Sequence, residues 1–198
     1  FISSFHILIS RNILLPGIPR RLAEESVRAV VLVPDFKRDY FIANFSAPGI
    51  VFEGIRANVF SRSFAGLLFK RLSQVMLNTE TAKIRTKYKF VVEKKRLYYL
   101  GFVLPARLMG RFRVMVSLVR FLDQKFSTRR DQFHALIRRY RPDLVVSTDV
   151  NNENDVALLQ AARTYDIRTA GIVRSWDNLT NFFMRILPDR LAVANEIM

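Results

Sequence analysis

The sequence predicts an α/β fold: a Rossmann-like, doubly wound parallel sheet of about six strands, with a helical insertion between strands three and four. Three observations predict it. Short β-branched and aliphatic runs alternate with stretches of helical period, the pattern of strands joined by crossover helices. Several runs are apolar without alternation, as strands covered on both faces are. The rhythm breaks once, where roughly ninety residues separate Glu53 from Asp143, far more than one crossover takes.

The elements follow in order. Phe5–Ser10 reads as the first strand, Ile18–Glu25 as a short helix, Arg28–Val33 as strand two, Phe36–Phe45 as a second short helix and Ile50–Glu53 as strand three. In the long connection, Phe64–Leu77, Lys83–Leu100, Arg111–Phe126 and Asp131–Tyr140 have helical period. Asp131–Tyr140 aligns Phe133, Leu136, Ile137 and Tyr140 as a core stripe. Arg111–Phe126 confines Arg113, Ser117, Arg120 and Gln124 to one narrow polar row, so it calls for partners on more than one side. Asp143–Thr148 is the fourth strand. The helix after it, Asn152–Tyr165, places Val156, Leu159, Ala162 and Tyr165 on one face, with Asn152 as cap and Asp155 at the third helical position. Ile167–Val173 and Arg190–Ala194 complete the sheet. The 198 residues therefore read as a single Rossmann-like domain with a basic helical insertion at about 56–141. From a start without Met and a stop at Glu196-Ile197-Met198, the chain is expected to be a piece of a longer protein.

Composition narrows the function. Half of the residues are hydrophobic, which excludes a disordered polymer. The absence of Cys excludes a disulfide scaffold, a Cys-based zinc site and thiol catalysis. Only two His, His6 and His134, occur; each falls in a structural setting, and no metal site is expected. The net charge of +15 points to nucleic acid, an anionic membrane or phosphate-rich ligands. That charge is local. Between Arg85 and Arg130 thirteen Lys/Arg face only Glu93 and Asp123, so this stretch carries +11 (13 − 2), interleaved with eight aromatic residues. Its longest uncharged runs, Leu97–Ala106 and Val114–Val119, are shorter than the roughly 18 residues a membrane span requires. Phe1–Ser10 lacks the basic start of a secretory signal.

In doubly wound sheets ligands collect beyond the carboxyl ends of the strands, where strand order reverses. Polar clusters follow the expected strands: Ser10-Arg11-Asn12, Pro34-Asp35, Glu53-Gly54, Thr148-Asp149-Val150-Asn151-Asn152 and Arg174-Ser175-Trp176-Asp177-Asn178. A 3-2-1-4-5 order gathers Arg11, Asn12, Asp149, Asn151 and Arg174 near one crevice. Arg11 and Arg174 suit a bidentate clamp on phosphate or carboxylate. Asp149 is the candidate general base, or an acceptor for sugar hydroxyls. Trp176 offers a flat face to a sugar or base, and Asn151, Ser175, Asp177 and Asn178 complete the expected binding set. Each has a plainer reading beside it: Asp149, Asn151 and Asn152 sit where turns and caps favour such residues, Asp177-Asn178 suits an Asx-turn, and Trp176 suits a core anchor. No Walker loop, G-x-G-x-x-G, G-x-S-x-G or H-E-x-x-H occurs, and Arg11–Gly17 holds a single Gly. A dinucleotide or ATP cradle is therefore disfavoured.

The last fifty-odd residues carry a resemblance. Arg141-Pro142-Asp143-Leu144-Val145-Val146 resembles the strand that opens with basic-Pro-Asp in the first domain of two-domain Rossmann-type glycosyltransferases, the GT-B fold. Gly171–Thr180 with Leu187–Val193 is similar to bacterial members associated with surface-polysaccharide or lipid-linked sugar assembly, and Ser175-Trp176-Asp177-Asn178-Leu179-Thr180 is its most specific run. The resemblance implies the amino-terminal, acceptor-side half of a glycosyltransferase-like protein. Such a protein moves a sugar from a nucleotide-sugar donor to a lipid-linked or polysaccharide acceptor at the cytoplasmic membrane surface. The donor would be held mostly by a second domain, so this half alone binds no cofactor and is expected to be inactive. The basic insertion then reads as a membrane-docking surface carrying Lys87, Lys94, Lys95, Arg96, Arg107, Arg111, Arg113 and Arg120. The alternatives are a UDP-sugar 2-epimerase of the same two-domain plan, a basic nucleic-acid-binding protein, and a non-catalytic assembly partner that uses Arg111–Phe126 as its interface.

Overall fold

The computed structural model describes residues 1–6, 17–56, 64–126 and 131–193. The strands are β1 (Ile2–Ser3), β2 (Ala29–Pro34), β3 (Ile50–Ile55), β4 (Leu144–Ser147), β5 (Arg168–Ile172) and β6 (Arg190–Ala192). They form one parallel sheet in the order β3-β2-β1-β4-β5-β6, so the α/β class and the reversal between β1 and β4 hold. The chain divides into two compact units. The sheet unit comprises 1–60, 129–174 and 188–193; the helical unit comprises 61–128, 175–187 and 194–198. The excursion at about 56–141 is thus narrower than the sequence suggests, and a second one, at 175–187, joins it.

In the sheet unit, β2 is buried along its whole length, which its unbroken Ala-Val-Val-Leu-Val-Pro run requires. It pairs with β3 over six positions, Ala29 opposite Ile50 through Pro34 opposite Ile55. Helix α1 (Ile18–Glu24) enters β2, and α2 (Arg38–Phe45) lies on β2 and β3, where Phe41 and Phe52 stack at 6.1 Å and pack with Val31 and Val33. Strand β3 runs on to Ile55, so Glu53 and Gly54 are strand residues, not the loop expected after it. Glu53 accepts hydrogen bonds from the Tyr140 hydroxyl and from Arg139, which ties β3 to the helix Asp131–Tyr140.

Strand β1 differs most from expectation. It occupies Ile2–Ser3, and Phe5 and His6 of the expected strand Phe5–Ser10 lie past its end. Ile2 lies opposite Val31 and Val146, and Ser4 N–H donates to Leu32 O at 2.8 Å. The small side chains of Ser3 and Ser4 fit a fully enclosed position between β2 and β4, at 0% and 2% exposure. Residues 7–16, which include the rest of the expected strand, lie outside the described residues.

The helical unit has its own core. Helices α3 (Phe64–Val75), α4 (Glu80–Val91), α5 (Leu104–Met109) and α6 (Arg113–Phe126) enclose Phe69, Val75, Met76, Val103, Ala106, Val119 and Phe183. The helix expected over Lys83–Leu100 is split. Thr79 caps α4 early by accepting from Ala82 N–H, α4 ends at Val91, and Lys94 takes a left-handed φ of 52°. The chain re-forms as a turn at Arg96–Tyr98 and a π-turn at Tyr99–Val103 before α5. The segment 182–187 is held by a buried bidentate ion pair: Arg185 Nε to Asp123 Oδ2 at 2.7 Å and Nη2 to Oδ1 at 2.8 Å. Removing one partner of such a pair strands the other charge in the core, at a cost of about 3–5 kcal/mol. Asp123→Ala and Arg185→Ala should each destabilise the helical unit by about that amount, and the double variant by clearly less than their sum, measured by urea denaturation.

Candidate functional site

Helices α7 (Asp131–Tyr140) and α8 (Glu153–Thr164) flank the carboxyl half of the sheet unit. In α7, Phe133 and Ile137 are buried as the stripe predicts. Helix α8 packs against β4, β5 and α7 and is enclosed from Asn154 to Ala162, more than its one apolar face announces. Its cap is Asn152, whose Oδ1 accepts from Asn154 N–H at 2.9 Å.

At the reversal point the ends of β1 and β4 are polar and closed. Ser3, Ser147, Thr148, Asp149 and Asp155 are each at most 4% exposed. Asp155 stands between the two strand ends. Its Oδ1 accepts the Ser3 hydroxyl, the Ser147 hydroxyl at 2.9 Å and Thr148 N–H at 3.2 Å. Thr148 also donates its hydroxyl to Ser3 O at 2.9 Å and its N–H to Ser3 Oγ at 2.9 Å. Burial pushes the Asp155 carboxyl up to about 7, against the hydrogen bonds of Ser3 and Ser147 and with help from the Asp149 charge. Sequence reading gave Asp155 only the cap-box position. The signal that marks it is its place one turn before Leu159 and two before Ala162, on the apolar stripe, where an acid must find internal partners.

Asp149 and Arg174 do meet, as the strand order requires: Oδ2 lies 3.3 Å from Arg174 Nη1. The other oxygen, Oδ1, accepts Asn151 N–H at 3.3 Å, an Asx-turn. Both carboxylate oxygens are therefore occupied, and a role as proton acceptor requires Arg174 to let go. Arg174 is one-third exposed, so its guanidinium remains within reach of a ligand. Gly171 in β5 keeps this loop in place. A Cβ there would meet Val150 Cγ1 at 2.5 Å and Pro188 Cγ at 2.8 Å, so only Gly allows Val150 to close over the strand.

Arg11 and Asn12 lie outside the described residues, and because β1 ends at Ser3, the carboxyl edge of that strand is Ser4–His6, not Ser10–Asn12. Ser175 begins the segment that belongs to the helical unit, and the backbone of Trp176, Asp177 and Asn178 forms its helix α9 (Trp176–Asn181). Among the described residues, no three His, Cys, Asp or Glu group as metal ligands.

The expected docking residues separate into two sets. Lys87, Lys94, Lys95, Arg96, Arg111 and Arg113 are exposed, Lys95 paired with Glu93. Arg107 and Arg120 turn inward, which removes them from that surface. Arg107 donates to the Thr86 hydroxyl and Ala82 O, while Arg120 donates to Met184 O at 2.8 Å and lies over the Phe183 ring. Burial holds the Arg120 guanidinium below its ordinary value. Beside the exposed cations, α6 turns Val114, Leu118 and Phe121 outward on one face, 73%, 44% and 62% exposed, while Met115, Val116, Val119 and Leu122 pack inward. The outer face thus takes Arg113 and Ser117 from the polar row together with part of the apolar surplus, while Arg120 turns inward. No helix among the described residues is long and apolar enough to cross a membrane. No protein-family model, curated protein or solved structure matches the chain.

The Asp155 carboxyl supplies a pH test. Its folded pKa of about 7 exceeds its ordinary 3.8, so between these values the folded state holds the extra proton. The stability it contributes is complete below pH 4 or so and is lost as pH rises through about 7. Asp155→Asn should flatten that fall, with the variant gaining on the parent between about pH 4 and pH 7 in urea denaturation.

Proposed function

We propose that the chain is the acceptor-side half of a glycosyltransferase-like protein of the GT-B plan, working at an anionic membrane surface. One observation carries the reading: the parallel β3-β2-β1-β4-β5-β6 sheet sets an ionisable, hydrogen-bonding edge, with Asp149 and Arg174 in contact, at the β1–β4 reversal where such sheets bind ligands. The Asp149–Arg174 pair acts as a gated base. An anionic group of donor or acceptor takes the Arg174 guanidinium, and Asp149, released, accepts the proton of the acceptor hydroxyl. That oxygen bonds to the anomeric carbon of the donor sugar as the bond to the nucleoside diphosphate breaks, and the diphosphate leaves with the bonding pair. The nucleotide sugar is a substrate held mainly outside this chain.

The test is the full reading frame that contains this chain, assayed with nucleotide sugars and lipid-linked acceptors. Transfer should occur, and Asp149→Ala should lower kcat at least a hundredfold, the usual weight of a general base. Arg174→Ala should raise KM for the anionic substrate. Sugar conversion without any acceptor would replace transfer by 2-epimerisation; no turnover, or variants equal to the parent, would end the reading.

The membrane part rests on the helical unit. Exposed cations contribute about 1 kcal/mol each near an anionic surface, and the outward Val114, Leu118 and Phe121 add apolar area for the headgroup boundary. The protein should float with vesicles containing phosphatidylserine, be released by high salt, and lose most binding in Leu118→Asp/Phe121→Asp. Retention of single-stranded RNA at physiological salt with no flotation would favour the nucleic-acid alternative instead.

A further inference from the structure

From Leu97 to Gly110 the only charged residue is Arg107, and it turns inward to Thr86 and Ala82. This stretch is helical from Arg96 through the π-turn at Tyr99–Val103 to the end of α5 at Met109, about 20 Å of helix. Its inner side is Tyr98, Tyr99, Phe102, Val103 and Ala106, which belong to the core of the helical unit. Left outside are Leu97, Leu100, Leu104 and Leu108, 88%, 57%, 41% and 48% exposed. Residues three and four apart share a helix face, so these four form one stripe. Gly101 stands beside it in open space, where an added Cβ would meet nothing within 4 Å. A single exposed Leu is ordinary; four in register are an uncovered apolar surface.

The ends of the stripe narrow its occupant. Exposed Lys94, Lys95 and Arg96 precede it and exposed Arg111 and Arg113 follow it, with Glu93 taken by Lys95. A second copy of the chain laid on the stripe would set cations against cations in either direction, because both ends are positive. A nucleic acid would take the cations and leave the leucines in water. An anionic bilayer takes both: its headgroups pair with the cations, and its acyl boundary receives the leucines.

We propose that the stripe of Leu97, Leu100, Leu104 and Leu108 inserts in the plane of an anionic bilayer, and that through it the protein selects membranes whose acyl chains are loosely packed. The proposal rests on the reading of the helical unit as a membrane-docking surface and adds a lipid preference that charge does not supply. Cations respond to the charge of the surface and to salt, whatever chains lie beneath. Leucines gain only where gaps between headgroups open the acyl layer to them, and unsaturated chains provide more such gaps. Charge therefore brings the unit to the surface, and the stripe sets which surfaces hold it.

The experiment floats the intact protein with two sets of vesicles of equal size, phosphatidylserine content and salt, one with dioleoyl chains and one with more tightly packed dimyristoyl chains. Partition onto the dioleoyl set should be stronger by about fivefold or more. Leu97→Ser/Leu100→Ser/Leu104→Ser should erase that margin and keep the salt-dependent binding that the cations supply. Hydrogen exchange on the unaltered protein needs no variant, so it decides the matter even if the triple variant unfolds: amides across 97–109 should slow on dioleoyl vesicles. Equal partition onto the two sets, a margin that survives the triple variant, or unslowed exchange across 97–109 would overturn the insertion and leave docking to the cations and the α6 face. A dimer in sedimentation that the triple variant dissolves would replace the bilayer by a second copy. Flotation with neither set ends the proposal together with the membrane reading.

Discussion

The carboxyl of Asp155, enclosed between the ends of β1 and β4, is the interaction around which the sheet unit is arranged. Strand β1 contributes only Ile2 and Ser3 to the ladder, too few backbone bonds to hold a central strand by themselves. Ser3 and Thr148 add side-chain bonds across the gap, and Asp155 draws both toward the start of α8. Strand, reversal point and helix are thereby one polar network inside an apolar frame. Such a network is strong only when every member is satisfied, because the low dielectric that strengthens its bonds also raises the cost of any atom left out. Most of this one is satisfied; the exceptions, Asp155 Oδ2 and Asn154 Oδ1, belong to the first turn of α8.

Charge does different work in the two units. In the sheet unit, the Asp149–Arg174 pair couples the ends of β4 and β5 while leaving part of the guanidinium in solvent. Among the described residues of the helical unit, the buried acid Asp123 is matched to Arg185, Arg85 and Arg120 donate to carbonyl and amide oxygens, and Arg107 donates to a hydroxyl and a carbonyl while its buried Nε has no partner. A guanidinium with five donors in a fixed fork can bridge several such acceptors at once, which suits Arg to these inward positions. The cations left outside are a mixture of Lys and Arg beside exposed apolar side chains. The local +11 therefore has two parts: internal struts and an external surface.

Much of the architecture was legible from local pattern. Helix Asp131–Tyr140 and its buried Phe133 and Ile137, the Asn152 cap, and the contact of Asp149 with Arg174 follow from periodicity, capping chemistry and strand order. Where local pattern failed, a competing signal was stronger. Phe5–Ser10 is more strand-like in composition than Ile2–Ser3, but the ladder at β1 selects small polar side chains that can reach Asp155 and Thr148. Lys83–Leu100 has helical period, yet the helix starts earlier, capped by Thr79, and ends at Val91 ahead of the left-handed Lys94, which divides the expected span. Arg107 and Arg120 look like surface charge because sequence shows their type and not the carbonyls they reach.

The sequence by itself determined the fold class, the reversal between the first and fourth strands and the concentration of positive charge in one segment, since these follow from periodicity, connection length and composition. Tertiary structure alone decided which charges face inward, that residues 175–187 belong with the helices, and that an aspartate in a capping position is the buried centre of the strand ends. The physical reason is common to all three. Each depends on partners distant in sequence, such as Ser3 for Asp155 and Asp123 for Arg185, and the cost of burying a charge or carbonyl is set by those partners and not by neighbours along the chain.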